Sequence, residues 1–134
     1  MKFYSRKWIK PENLNPHGSL FGGQLLGWID EEAVIFAMCQ LGGSRHLVTK
    51  FMSEINFVSS AHQGDIIEMG VEVSACGRTS VTLRAEVRNK ITLQTIISID
   101  RIVFVNLDAE GRPTPHEYLW PGSEGEEGAT ADSA

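Results

Sequence analysis

Residues 21–41 read FGGQLLGWIDEEAVIFAMCQL. The stretch is long enough for about five helical turns, consists largely of good helix formers and contains no proline. Leu25, Leu26, Trp28, Ile29, Ala33, Val34, Ile35, Phe36 and Met38 put apolar side chains on nearly every face. A helix apolar all round is expected to be buried. Gly42 and Gly43 follow as a natural C-terminal stop.

Downstream the period changes. Residues 47–58 partly alternate and hold β-branched and aromatic side chains. Residues 65–75 alternate around Val71 and Val73, and residues 80–88 place Val81, Leu83, Ala85 and Val87 on one face. Residues 95–107 are rich in Ile and Val. Turns are expected at 62–64, 76–79 and 108–111. Upstream, residues 1–10 fit a short strand and residues 11–18 a turn-rich loop. The order is a strand, a long helix, then four strands joined by short turns. That order predicts an α+β fold with a mainly antiparallel sheet.

The chain has 134 residues, the size of one domain. Hydrophobic residues make up 42%, which is enough for a core. The expected domain is 1–121, with 122–134 (GSEGEEGATADSA) as a disordered acidic tail that has no large apolar residue to offset ordering entropy. A single helix on a curved sheet leaves an open edge strand and exposed apolar surface. Pairing with a second copy would cover both.

The formal charge of -5 gives no general attraction for nucleic acid, although a local basic patch can still hold an anion. No signal peptide and no run approaching the ~20 apolar residues of a membrane span is visible, so a soluble cytoplasmic protein is expected. Cys39 and Cys76 lack metal or disulfide-framework spacing and read as reduced thiols. His17, His46, His62 and His116 are scattered, with no HExxH arrangement, and no metal is expected. There is no GxSxG elbow and no phosphate-binding lysine loop.

The chemistry concentrates in residues 15–32, NPHGSLFGGQLLGWIDEE. Gly22 and Gly23 fall in the first helical turn, where glycine is a poor helix former. The first N–H groups of a helix have no intrahelical acceptor and lie at the positive end of its dipole, so glycines there let a carbonyl oxygen reach an oxyanion hole. The same glycines also fit a tight packing contact or a loop-to-helix turn. Asp30 lies in mid-helix, on the stripe of Gly23, Leu26 and Ala37. A buried carboxylate there needs a partner and suits a general base or nucleophile. The other reading puts it on a polar strip with Glu31 and Glu32. Asn15 before Pro16 reads as a turn starter or as a group orienting water or a carbonyl. His17 reads as a surface residue or a ligand contact.

The run from Asn15 to Glu31 resembles the signature of hotdog-fold acyl-CoA thioesterases, the bacterial short-chain and cytosolic brain-type hydrolases. Weaker matches follow in order: Ile55 to Val58 with Gln63, Gly64 and Asp65; Gly77, Arg78, Thr79 and Ser80; and Phe104 to Asp108 with Gly111 and Pro113. The resemblance spans about residues 5–120. It implies a hotdog fold, with a long central helix wrapped by an antiparallel sheet, pairing into a double hotdog that can assemble further into tetramers or hexamers. It also implies hydrolysis of acyl-CoA to carboxylic acid and coenzyme A, a place in fatty acid metabolism and no cofactor. Asp30 would be the base or nucleophile, Asn15 would face it from the other subunit, and the Gly22–Gly23 backbone would polarise the thioester. Gly77, Arg78, Thr79 and Ser80 would lie along the coenzyme A arm, with Phe57 in the acyl pocket; His17, by its own position between Asn15 and the glycines, is a further candidate for a ligand contact. Ser60 and Ala61 stand where relatives tend to have a proline, and Glu31 and Glu32 add acids beside Asp30. A hotdog hydratase or dehydratase is the alternative activity, with His17 as its candidate histidine. A non-catalytic acyl-CoA sensor is another, although no basic helix-turn-helix accompanies it.

Overall fold

The computed structural model describes residues 1–43 and 46–121. Its elements are β1 (Lys2–Trp8), α1 (Gly22–Gln40), β2 (Leu47–Phe57), β3 (Ile66–Cys76), β4 (Ser80–Asn89) and β5 (Thr95–Asn106), with one 3₁₀ turn at Pro11–Asn13. The expected acidic tail lies outside the described residues. All sheet pairings are antiparallel, and the strand order is β1-β3-β4-β5-β2. The protein is thus a hotdog fold, with one long helix against a five-stranded antiparallel sheet.

The core follows from two periods meeting. Leu25, Ile29, Ala33 and Ala37 recur every four residues and form the buried stripe of α1. They face a sheet surface whose buried side chains recur every two residues, Val81, Leu83, Ala85 and Val87 on β4. Ala33 and Ala37 are fully buried, and their small side chains let the helix axis approach the strands closely.

The helix is not buried on every side. Gly23, Gly27, Glu31, Ile35 and Cys39 form an exposed stripe, also four apart. A sheet covers only one side of a helix, and the apolar content of the rest is unused within one protomer. β2 is likewise half-used. It pairs with β5 on one side only, so a row of its backbone groups lies open, and Val48 and Phe57 are exposed.

The segment after β5 straps the top of the sheet to the helix. The Asn106 side-chain amide donates to the carbonyls of Thr114 and Pro115. The His116 ring Nε2 lies 2.9 Å from the Ser80 carbonyl oxygen, and the Tyr118 N–H donates to His116 Nδ1 at 3.0 Å. In this arrangement Nδ1 accepts and Nε2 faces a carbonyl oxygen. The Tyr118 hydroxyl donates to Gln40 Oε1 at the last residue of α1.

Candidate active site

α1 starts at Gly22, with Phe21 as its N-cap, in extended conformation and without a side-chain cap. The first bond back into the helix is from Leu25 N–H to Phe21 O, 3.1 Å. The N–H groups of Gly22, Gly23 and Gln24 therefore have no acceptor within the helix. No acidic side chain in the first turn neutralises this positive end. Gly22 is in the wall of a cavity of about 250 Å³, together with Leu20, Leu25, Phe57, Ala61 and Ile96.

Close approach bears on Gly23 rather than on Gly22. A Cβ on Gly22 would make an ordinary contact, 3.4 Å from Phe57 Cε1, and one on Gly23 would lie 2.9 Å from Phe21 Cε2, at the end of an exposed ring. Neither glycine has a positive φ, so an unusual backbone conformation is not the reason. Phe57 reaches the cavity because β2 runs antiparallel to β5 and ends beside Ile97, one residue from the cavity-lining Ile96.

Asp30 is half-buried, and its Oδ1 accepts a 2.7 Å hydrogen bond from Thr49 Oγ1. Thr49 sits on β2 opposite Phe104, at the start of a bulge that ends at Phe51. Sequence reasoning missed Thr49, because a threonine in an alternating strand carries no mark of its partner nineteen residues away. Glu31 is exposed and Glu32 partly buried.

The acid and the open N–H groups of one chain do not meet. Asp30 is eight residues beyond Gly22, which at ~1.5 Å per residue is about 12 Å along the helix axis. One reacting atom would need both within about 3 Å.

Asn15 shapes the loop into the helix. Its Oδ1 accepts from the backbone N–H groups of His17 at 2.8 Å and Ser19 at 3.2 Å, and its Nδ2 donates to Ser19 Oγ. That is the turn-starter arrangement. Asn15 and exposed His17 lie on the loop preceding Gly22. Ser19, on the same loop, forms a bridge with His62.

Gly77, Arg78, Thr79 and Ser80 lie at the other end of the molecule. The Arg78 and Thr79 carbonyls accept from His116 N–H and Asn106 N–H, and the same strap reaches Gln40. The turn is thus beside the C-terminal end of α1, a helix about 27 Å long. Within one chain it is remote from the Gly22 cavity.

The model of the thioesterase superfamily matches residues 17–96, which contain the helix, Asp30 and Thr49. The chain belongs to the thioesterase superfamily. Within that superfamily it is 30% identical over 127 residues to an uncharacterised acyl-CoA thioester hydrolase of Bacillus subtilis, covering 88% of this chain and 69% of the relative. An acyl-CoA hydrolase of Staphylococcus aureus, solved with butyryl coenzyme A and coenzyme A, is 30% identical with a TM-score of 0.74, over 83% of this chain and 66% of that one. A hexameric hotdog-fold thioesterase of Campylobacter jejuni is 28% identical with a TM-score of 0.71, over 83% of this chain and 86% of that one. Among the described residues no helix is long and apolar enough to cross a membrane.

Proposed function

We propose that the protein hydrolyses acyl-CoA thioesters to a carboxylic acid and coenzyme A, at sites shared between two copies. The observation that carries this reading is the half-buried helix carboxylate of Asp30 held by Thr49 Oγ1 at 2.7 Å. The Staphylococcus aureus hydrolase has been solved with alanine in place of an aspartate, a threonine and an asparagine. Its asparagine and aspartate are as far apart in sequence as Asn15 and Asp30. The three residue types match Asp30, Thr49 and Asn15.

Pairing of two β2 edges in antiparallel sense resolves the 12 Å gap. It sets the Phe57 end of one strand beside the Leu47 end of the other. The cavity, free N–H groups and Asn15 loop of one protomer then approach Thr49 and Asp30 of its partner. Two equivalent sites result, and the open edge of β2 is covered. Each Gly77–Ser80 turn, remote from its own cavity, moves toward the partner's. Association beyond the pair, as in the hexameric relative, is compatible with this arrangement.

The chemistry follows from the groups. Helix N–H donors hold the thioester oxygen, a contribution of about 3 kcal/mol in comparable sites. Asp30 takes a proton from water, and the water oxygen adds to the carbonyl carbon. The tetrahedral intermediate then collapses, its C–S bond breaks, and the thiolate leaves and is protonated. In the other route Asp30 attacks directly, expelling the thiolate and forming a mixed anhydride that water opens. The Thr49 bond fixes the carboxylate in either case.

A hydratase would need a histidine at the helix acid, where this structure supplies a threonine. Thiol release from saturated acyl-CoA tests the assignment. Wild type should release coenzyme A, and Asp30→Asn should lose nearly all turnover while keeping its circular dichroism. Near-normal turnover in that variant, or water addition to an enoyl-CoA without thiol release, would reject hydrolysis by Asp30.

A further inference from the structure

Three consecutive carbonyls of the Gly77–Ser80 turn are tied down. The Arg78 carbonyl accepts from His116 N–H at 3.2 Å and the Thr79 carbonyl from Asn106 N–H at 2.7 Å. The Ser80 carbonyl accepts from Gly77 N–H at 3.1 Å and faces His116 Nε2 at 2.9 Å. His116 therefore holds the turn twice, once by its backbone and once by its ring.

The ring is itself held in place. Tyr118 N–H donates to its Nδ1 at 3.0 Å, which requires the chain to turn back between the two residues. Glu117, at that point, has φ +64, a conformation that costs energy for any residue with a side chain. The strap is fastened on both sides of this strained residue. The Asn106 side-chain amide donates to the carbonyls of Thr114 and Pro115, and the Tyr118 hydroxyl donates to Gln40 on α1. A kink held from both sides to aim one ring at one carbonyl points to a task for that ring.

The task follows from what the turn faces. Ser80 pairs with Val105, and Val105 with Val48, so the turn lies two strand spacings, about 10 Å, from the open edge of β2. In the proposed pair the partner's Gly22 cavity comes to that end, and a thioester held there leaves its coenzyme A portion to run out across the turn. Arg78 is exposed on it. With the three carbonyls bound to β5, the strap and the turn itself, their negative ends are engaged rather than offered to an anion beside that arginine. We infer that His116 is a positioning residue for coenzyme A: it touches no substrate, and through the Ser80 carbonyl it fixes the turn on which the anionic arm lies. The inference rests on the proposed hydrolysis at a shared site, and gives the strap after β5 a part in substrate affinity rather than in bond cleavage.

The test uses the full chain with His116→Asn and His116→Gln. Glutamine carries its amide nitrogen at the reach of Nε2 and keeps the Ser80 contact, whereas asparagine reaches only the place of Nδ1 and keeps the Tyr118 contact. Thiol release is measured with acyl-CoA and with the matching acyl-pantetheine, which lacks the phosphates and adenine, and coenzyme A binding is measured by calorimetry. His116→Asn should raise KM for acyl-CoA and Kd for coenzyme A about tenfold, with kcat and the acyl-pantetheine KM within about twofold, and His116→Gln should recover most of the loss. Tyr118→Phe, which loosens the strap only at Gln40, should shift KM the same way by a smaller factor and keeps the test open if His116→Asn unfolds. A clamp serving stability alone would lower Tm and leave the acyl-CoA KM unchanged. That result, an equal rise in KM for both substrates, or equal losses in the asparagine and glutamine variants overturns the positioning role. Wild type that binds coenzyme A more tightly than His116→Asn but releases no thiol overturns hydrolysis and keeps the positioning role. Wild type that neither binds coenzyme A nor releases thiol overturns both.

Discussion

Thr49 Oγ1 donates a 2.7 Å hydrogen bond to Asp30 Oδ1, joining the edge strand to the middle of the helix. The bond ties the orientation of the one acid on the apolar helix that faces β2 to the strand through which two copies are proposed to pair. Thr49→Ala removes the donor from a charged acceptor, an interaction worth about 1.5–3 kcal/mol. The expected result is a loss of roughly 10- to 100-fold in kcat, with KM little changed, and recovery in Thr49→Ser. Steady-state thiol release checks this. An unchanged kcat in Thr49→Ala would remove Thr49 from the reaction.

Gly22→Ala separates stability from activity. Alanine is the better helix former, by up to about 1 kcal/mol in a helix interior, but its methyl would fill the space beside the Gly22 N–H and touch the Phe57 ring at 3.4 Å in the cavity wall. Tm is expected to stay level or rise, while kcat/KM falls at least tenfold. A thermal melt alongside the thiol assay measures both. Full activity in Gly22→Ala would place the thioester elsewhere.

The cavity beside Gly22, walled by Leu20, Leu25, Phe57 and Ile96, is the place for the acyl chain. Each methylene moved from water into it contributes about 0.8 kcal/mol, roughly fourfold in kcat/KM. The series from acetyl- to palmitoyl-CoA should therefore climb and then level off before palmitoyl, once the cavity is filled. A continued climb to palmitoyl would mean that the chain lies along another surface.

Cys76 gives a pH signature of the core. It is 7% exposed, and burial pushes its thiol from the ordinary 9.0 up to about 11. Below about 9 both folded and unfolded forms keep the proton, and the contribution to stability is fully present. Between about 9 and 11 the unfolded thiol ionises first, so folding loses up to about 2–3 kcal/mol. Tm of wild type should fall more steeply from pH 8 to pH 10.5 than Tm of Cys76→Ala. Parallel curves would mean that Cys76 ionises freely in the folded protein.

The helix was legible almost to the residue, because Gly22 and Gly42 bracket a proline-free run and the strands show a clear change of period. Strand ends agree within two residues for the same reason, alternation being a local property of the chain. What local pattern could not show was which partners distant elements bring together. Nothing near Thr49 marks it as the companion of Asp30, and nothing near His116 marks it as the clamp on Ser80. The apolar circumference of α1 predicts burial on all sides but not by what, and the sheet covers one stripe and leaves Gly23, Gly27 and Ile35 exposed. The Gly77–Ser80 motif was visible as a turn, but its place at the far end of the helix depends on strand direction.

Subunit mixing tests the shared site most directly. Asp30→Asn and Gly22→Val should each be inactive alone. Dissociated together and re-paired at random, half of the pairs are mixed, and each mixed pair restores one of two sites, built from an intact Asp30 on one copy and an intact helix start on the other. About a quarter of wild-type thiol release is expected to return. If mixed pairs form, as seen by native mass spectrometry, and activity stays at the sum of the two parents, then acid and oxyanion donors belong to the same chain and the shared site is wrong.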